Sequence, residues 1–498
     1  MAHVKLNPAG LAAKHEMNER LMSYNVEMTE VTGGTFWKAY TPGQIAGTEK
    51  FPPIASLSEM AGLMQWYDPI DTANPRLVRL AKELGPAWMR VSGTWATKTY
   101  YDFDGTGTAP EGYQNRLTRE RWVSILRFAD AIGAKILISV ANCQGLHSAD
   151  EPWNPSQAEK IFALSRECGH PIDAVEFTNE PNMMEGTGFP QGYTPAHFRR
   201  DQDLFHRWVR EHYPDTLIVG PCSTDGNVLQ MGPGSRGGAG IADIMPCCST
   251  DDLVEGCTEK LDVFSYHYYN GCSERLESVM PAAHWQPEDA STEAYLAVAG
   301  NAARAFAPFR DKYVPGGEMW VTESGDAGGG GDTWASTYLD VLRTLNELGD
   351  FSSVTNGVIF HNTLASSDYG FLQHGTFAPR PNYFAVLLWQ RLMGKTVYAT
   401  GEEIREGAHV YAHSRKDGRD GAVYLIINNS AGETTVELPT DAVRYTLTGR
   451  DGLRSRVMCL NGRDLVLGED DALPNLDGAA QKAGILSLSP YSCTFLVV

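Results

Sequence analysis

The chain has 498 residues, of which 42% are apolar and 20% charged, and it carries a net charge of −20. Single hydrophobic cores stop growing near ~250–300 residues, so this length indicates one large domain and a smaller one. The acidic balance excludes a nucleic-acid-binding protein, and the lack of any apolar run of ~18 residues predicts that no membrane is a partner.

The first 45 residues form the first predicted segment. Met1–Asn7 has no apolar signal-peptide core. We therefore expect a cytoplasmic protein, or a secreted or periplasmic one whose leader has been trimmed. Residues 26–31 alternate with the period of a β-strand. We predict that residues 1–45 form an N-terminal strand region that packs with a C-terminal β-sandwich.

Helices and short apolar strands alternate between residues 75 and 360. Helices are predicted at 75–85, 121–132, 155–168, 194–212 and 333–348. Strands are predicted at 88–91, 135–140, 174–177, 216–220, 263–268, 319–322 and 357–360. Such runs are typical of parallel strands buried on both faces. With a less clearly defined first strand within 33–60 there are eight, and we predict an α/β fold, a (β/α)₈ TIM barrel over residues 46–395.

From about Val397 the pattern becomes all-β. Strands are predicted at 422–427, 434–438, 443–447 and 493–498, which together indicate a β-sandwich over residues 396–498. The nine cysteines include a denser group, Cys247, Cys248, Cys257 and Cys272, whose spacing does not fit a zinc site. We predict no metal and no cofactor.

Two glutamates follow predicted barrel strands. Glu180 comes at the end of the fourth strand and Glu323 at the end of the seventh. Catalytic residues of TIM barrels lie at these carboxyl ends, so both side chains are expected to face one cleft. Glycoside hydrolysis needs two carboxyl groups, one protonated and one ionised. The alternative is that both are loop-edge carboxylates held in ion pairs.

The triplet Asn179-Glu180-Pro181 resembles the acid/base signature of the large retaining clan of (β/α)₈ glycosidases. Longer stretches resemble glycoside hydrolase family 79, the heparanases and exo-β-glucuronidases. They lie at 89–94, 266–271, 322–331, 367–372, 381–384 and 460–465. The resemblance spans roughly residues 75–498, with the motifs in order.

This resemblance implies roles for single residues. Glu180 would be the general acid/base and Glu323 the nucleophile, with Asn179 bonding the sugar 2-hydroxyl. Tyr268 would hydrogen-bond the nucleophile. We prefer Tyr268 to His267 because residues 266 and 268 share one face of a strand. His267 is expected to be a satisfied core histidine.

The family reads the glucuronate carboxylate with backbone N–H groups of a glycine run and a tyrosine hydroxyl. Here these would be Gly329, Gly330 and Tyr369, and Thr94 of the first motif is a further predicted substrate contact. Glycines allow close backbone approach, and successive N–H groups form an anion-binding concavity. The alternative for the glycine run is a flexible loop before the next helix.

The sequence therefore predicts a retaining β-glucuronidase whose partner is a glucuronic-acid-containing glycoside or oligosaccharide. Exo action on a terminal glucuronide is the first hypothesis, because no basic cluster flanks the glutamates. Endo action on glycosaminoglycan chains is the second. A non-catalytic carbohydrate-binding protein and another hydrolase of the clan, such as an arabinofuranosidase or xylosidase, are the remaining alternatives.

Overall fold

A computed structural model of the chain describes residues 2–224, 226, 228, 232 and 246–498. Eight parallel strands close into a barrel, in which the eighth strand pairs with the first. In chain order they are Met22–Glu27, Trp88–Ser92, Lys135–Ser139, Ala174–Glu176, Leu217–Ser223, Val263–Cys272, Met319–Gly328 and Ile359–His361. This confirms the predicted TIM barrel.

A helix follows each barrel strand on the outside. These helices are Pro75–Glu83, Arg119–Ile132, Ser156–Glu167, Pro195–His212, Thr250–Val254, Val298–Tyr313, Leu339–Val354 and Pro381–Leu392. Shorter helices are Met28–Thr32, Pro42–Ile45 and Glu293–Leu296. Caps set several boundaries: the Thr118 hydroxyl accepts from the backbone N–H of Arg121, and Gly133 ends that helix in the left-handed region. Among the described residues, no helix combines the length and apolar composition needed to cross a bilayer.

The first barrel strand lies at Met22–Glu27, so its predicted position within 33–60 was wrong. Every residue of this strand is buried, so the sequence shows no two-residue alternation there. Most of the alternating stretch 26–31 belongs to the helix Met28–Thr32. A reciprocal capping box between Glu27 and Glu30 starts this helix. Ala2–Lys5 and Ala12–Glu16, by contrast, do join the sandwich sheets.

Apolar side chains fill the lower end of the barrel. Trp88 and Trp320 meet there with ring centroids 4.9 Å apart, and Leu137, Val219 and Phe360 belong to the same cluster. Above this layer the inward positions turn polar. The apolar layer therefore closes the barrel from below and leaves the carboxyl ends of the strands as the open face.

The sandwich pairs a nine-stranded sheet with a three-stranded one. The larger sheet contains Ala12–Glu16, Met393–Ala399, His409–Arg415, Ala422–Asn428, Ala442–Gly449, Met458–Leu460, Arg463–Asp464, Ala479–Gln481 and Ser492–Val497. The smaller contains Ala2–Lys5, Thr434–Leu438 and Gly484–Leu488. Alternate residues of one strand face opposite sides of the sheet: Leu425 and Ile427 join the apolar cluster of the helices around the barrel, and Tyr424 and Ile426 pack between the two sheets.

Two ribbons extend the open end of the barrel. Gly34–Trp37 pairs antiparallel with Met64–Tyr67, directly after the first barrel strand. Thr99–Asp102 pairs with Asn115–Thr118 after the second strand. The first ribbon and the 3₁₀ turn Leu57–Leu63 stand beside this open face.

Candidate active site

The two predicted glutamates come together at the carboxyl ends of the barrel strands. Glu180 follows the fourth strand and Glu323 lies within the seventh. One oxygen of each carboxylate and one nitrogen of His267 all lie within 4.8 Å of one another. Both glutamates line a cavity of about 600 Å³. The arrangement is a close carboxylate pair with an imidazole between its members.

Glu323 is held by two donors. The hydroxyl of Tyr269 donates to Oε1 at 2.5 Å, and Nη1 of Arg90 lies 3.3 Å from Oε2. Arg90 is fully buried and also pairs with the buried Glu176 at 2.9 Å. The charge-assisted hydrogen bond from Arg90 fixes the direction of the Glu323 carboxylate. Glu323 therefore has the surroundings of a nucleophilic carboxylate.

The surroundings of Glu180 favour the protonated form of its carboxyl group. Burial raises its pKa to about 7, although the charge of Arg90 opposes the shift. Its backbone adopts φ +45°, a left-handed conformation that few non-glycine residues take. Such backbone outliers cluster at sites where the surrounding structure imposes them. The carboxyl group is therefore suited to hold a proton near neutral pH.

His267 lies between the two glutamates and was not predicted to do so. Its Nδ1 is 3.1 Å from Glu180 and 3.6 Å from Glu323, and burial lowers its pKa to about 4. Its Nε2 lies 3.4 Å from Nη2 of Arg90. Because arginine only donates, Nε2 must accept, and the proton of the neutral ring sits on Nδ1. His267 thus donates to Glu180.

Tyr268 does not contact the nucleophile, which corrects the sequence prediction. Its hydroxyl donates to Glu347 at 2.5 Å, on the outer side of the barrel wall. Residues 263, 265, 267 and 269 share the inward face, since Val263 belongs to the interior apolar layer. Tyr269 is therefore the tyrosine at Glu323. The run around 266–269 is buried on both faces, so its apolar pattern could not indicate which parity points inward.

Tyr369 lies beside Tyr269 in the cavity wall. The rings are stacked with centroids 6.4 Å apart, and the amide nitrogen of Asn362 donates to both hydroxyls, at 2.9 Å to Tyr269 and 3.1 Å to Tyr369. Asn25 donates to the Asn362 oxygen and so fixes the direction of that amide. The hydroxyl of Tyr269 donates its hydrogen bond to Glu323. The hydroxyl of Tyr369 accepts from Asn362 and can donate a hydrogen bond to a ligand in the cavity.

The glycine run forms a tight turn at the end of the seventh strand. Gly329, Gly330 and Gly331 have φ of +92°, +94° and +82°, which favours glycine at all three positions. Arg275 donates to the carbonyls of Gly329 and Gly331, at 3.1 and 2.7 Å. The carbonyl of Gly330 accepts from Ser367 and Asp368.

The N–H of Gly331 donates to the carbonyl of Ala327, which leaves the other two amide groups of this turn to be accounted for. In the described part of the chain, no group accepts from the N–H of Gly329 or Gly330. Gly329 lines the cavity, and Gly330 packs directly under Trp37. Two consecutive free N–H groups, at the edge of a cavity that Tyr369 also lines, form a concavity suited to an anion.

The remaining predicted residues also line the cavity. The Asn179 oxygen accepts from Arg90 at 2.7 Å, which leaves its amide nitrogen for a ligand hydroxyl. Thr94 lies at the mouth, after the second strand. Glu27, which the sequence analysis missed, ends the first strand and faces the same space. Burial and the charge of Glu323 raise the pKa of Glu27 well above its usual range.

The chain is similar to known proteins both in sequence and in structure. No protein-family model matches the chain. Heparanase-like protein 1 of Arabidopsis thaliana is 24% identical, over 86% of this chain and 85% of that protein. Baicalin-β-D-glucuronidase of Scutellaria baicalensis is also 24% identical, over 86% and 83%. Hyaluronoglucuronidase of Hirudo nipponia is 25% identical, over 89% and 92%.

Solved structures share the fold. A 4-O-α-L-rhamnosyl-β-D-glucuronidase of Fusarium oxysporum superposes over the whole of both chains with a TM-score of 0.64 and 12% identity. An arabinofuranosidase gives 0.62 and 13%, again over both whole chains. The sequence relatives cover most of the length on both sides. The chain is thus a glycoside hydrolase homologous to the heparanase-like proteins and β-glucuronidases, as its family 79 motifs predicted.

Proposed function

We propose that the chain is a retaining β-glucuronidase that removes a terminal glucuronic acid by double displacement through a covalent glycosyl-enzyme. The observation that carries this proposal is the close pair of Glu180 and Glu323, with oxygens within 4.8 Å. Retaining enzymes place their carboxyl groups ~5–5.5 Å apart, whereas inverting enzymes leave ~6.5–9.5 Å for a water. The pair lies beside an anion-binding turn.

In the first step an ionised Glu323 oxygen attacks the anomeric carbon, and the bond from that carbon to the aglycone oxygen breaks. Glu180 gives its proton to the leaving oxygen. A pKa of about 7 supports this role, because the acid is protonated in much of the population near neutral pH. Arg90 and Tyr269 hold the Glu323 carboxylate in position before the attack.

In the second step the ionised Glu180 takes a proton from a water, which attacks the anomeric carbon and releases Glu323. His267 supports the change of role at Glu180. Its Nδ1–H donates to that carboxyl group, and the ring stays neutral because its pKa is about 4. A neutral donor serves both the acid and the carboxylate without exchanging a proton itself.

Glucuronate recognition follows from the turn and Tyr369. The sugar carboxylate would accept from the N–H groups of Gly329 and Gly330 and from the Tyr369 hydroxyl. Hydrogen bonds to charged groups contribute ~1.5–3 kcal/mol each. A glucoside offers a neutral CH₂OH at the same place and leaves these donors poorly paired, which disfavours it.

Exo action is supported by the charge of the cavity. Lys98 is the one Lys or Arg among the described residues that line it, alongside Glu27, Glu180 and Glu323. A sulfated chain that runs through the cleft would need several cations. Endo action on a glycosaminoglycan chain without sulfate groups is the second candidate. The relation to a leech hyaluronoglucuronidase favours it.

The test compares 4-nitrophenyl β-glucuronide with the matching β-glucoside and α-arabinofuranoside, and follows the released sugar by NMR at early times. We expect glucuronide turnover at least ~10³-fold above the glucoside, with the β-anomer appearing first. A hyaluronan oligosaccharide with an unsaturated, blocked end separates exo from endo cleavage. Appearance of the α-anomer first, or preference for another sugar, would refute the proposal.

A further inference from the structure

The wall of the cavity outside the carboxylate pair is unusually rich in thioether and aromatic groups. It presents four methionines, Met60, Met64, Met183 and Met280, together with Trp37 and Trp95. Methionine adapts its shape and makes favourable contacts with aromatic rings. This composition suits an apolar ligand portion.

Lys98, the single basic residue among the described residues of this wall, does not change its character. The Lys98 ammonium lies 5.0 Å from the centroid of the Trp95 ring, and burial lowers the pKa of the lysine. Its stem packs against the backbone near Gly188. Lys98 is therefore engaged with the protein and covers part of the wall with methylene groups.

The apolar surface continues past the mouth through the ribbon after the first barrel strand. In its register Thr35 lies opposite Trp66, and Trp37 lies opposite Met64. Directly opposite residues, and residues two apart along a strand, share one face of a ribbon. Thr35, Trp37 and Met64 line the cavity and share their ribbon face with Trp66, and Phe36 of the opposite face lines the cavity as well. Trp66 is 65% exposed.

From these observations we propose that the outer part of the cavity is an aglycone site for a planar, apolar, aromatic aglycone. The methionine wall contacts its first rings, and the exposed indole of Trp66 stacks on a ring that extends past the mouth. The proposal rests on the proposed glucuronidase function and names its substrate class, an aryl glucuronide of two or more rings. The cavity volume of about 600 Å³ lies within the range of sites that enclose drug-sized ligands.

The test measures kcat/KM for three β-glucuronides of similar leaving-group acidity: 4-nitrophenyl, 4-methylumbelliferyl and a three-ring flavone. A non-sulfated oligosaccharide that ends in glucuronic acid is the fourth substrate. We expect kcat/KM to rise with ring number and to exceed that for the oligosaccharide by at least tenfold. Trp66→Ala should lower the flavone-to-nitrophenyl ratio about 3- to 10-fold through KM, as loss of one aromatic pair implies. Trp66→Phe should restore most of it.

Met64→Gln should lower the same ratio, because it places a polar amide against the aglycone. The matched control is Ile485→Ala, which removes an equally exposed apolar side chain, 66% exposed, from the sandwich. It should change neither activity nor ratio. An unchanged ratio in Trp66→Ala and Met64→Gln, or preference for the oligosaccharide, would overturn the aglycone site alone. No turnover of any glucuronide would instead refute the proposed function.

Discussion

At the scale of single residues, the barrel wall separates two adjacent tyrosines. Tyr269 donates to the nucleophile and Tyr268 to Glu347 on the outer side. We predict that Tyr269→Phe lowers kcat about 10- to 100-fold, because Glu323 loses one of the two hydrogen-bond donors that hold its carboxylate in position. Thermal unfolding should change little. Steady-state kinetics and calorimetry provide the two measurements.

Tyr268→Phe is the matched control, since it removes the same atom from the other face of the strand. It leaves Glu347 short of a donor in a buried network with Arg343, at a cost of ~1–3 kcal/mol in unfolding free energy. Its kcat should stay within a few-fold of the unmodified protein. The opposite pattern, with activity lost in Tyr268→Phe and kept in Tyr269→Phe, would contradict the inward parity of 267 and 269.

The pH dependence should report Glu180. Its pKa is raised to about 7, so kcat/KM for a glucuronide with a poor leaving group should fall as the pH rises through about 7, where the free enzyme loses the acid proton. His267 is neutral above a pKa of about 4 and does not explain a limb there. In Glu180→Gln the limb near 7 should vanish, and activity on a good leaving group should recover in part with azide. A limb that persists in that variant would assign it to another group.

At the scale of elements, the glycine turn depends on three consecutive left-handed residues. A Cβ at Gly330 would lie 2.6 Å from both Ser367 Oγ and Trp37 Cβ, in addition to the strain of φ +94°. We predict that Gly330→Ala lowers glucuronidase kcat/KM by ~10²-fold or more, since loss of one or two charge-assisted hydrogen bonds is worth that much. Any residual glucosidase activity should fall much less.

Gly105→Ala is the control that separates the effect of backbone strain from the loss of the anion-binding turn. Gly105 also has positive φ, +75°, but open space around its Cβ position, and it lies away from the turn. It should lose ~1 kcal/mol of stability and no activity. If Gly330→Ala behaved in the same way as Gly105→Ala, the glucuronate carboxylate would be bound elsewhere.

At the scale of the whole molecule, barrel and sandwich share one apolar cluster. Gly349 lies in the helix Leu339–Val354, and a Cβ there would lie 2.3 Å from the ring of Tyr411 in the sandwich. The Tyr411 hydroxyl donates to Asn346, so the ring cannot turn away freely. Alanine in place of glycine inside a helix normally stabilises by ~1 kcal/mol.

We predict the opposite sign at this position: Gly349→Ala should lower the melting temperature, at a cost of ~1–3 kcal/mol from overpacking. The kcat/KM should be unchanged, since the contact lies far from the open face. Calorimetry measures the shift. A stabilised Gly349→Ala variant would show that the sheet and the helix are less tightly packed than the contacts indicate.

The sequence by itself determined the barrel, most of its strands and the two strand ends that carry Glu180 and Glu323. Short apolar runs at regular spacing require a parallel sheet, and carboxyl ends of such strands meet at one face. The sequence also determined where a left-handed turn could form, since the successive glycines 329–331 permit the positive φ angles observed there. These are local properties of the chain, or follow directly from its periodicity.

Only the tertiary structure decided which side chains surround the two glutamates. The first strand and Tyr268 were misassigned because strands buried on both faces carry no inward–outward pattern. Arg90, His267 and Glu27 come from three different strands, and their meeting depends on barrel closure and on a register shift at Tyr266/His267. Charge states follow from that meeting, because burial and neighbouring charges set the pKa of each group.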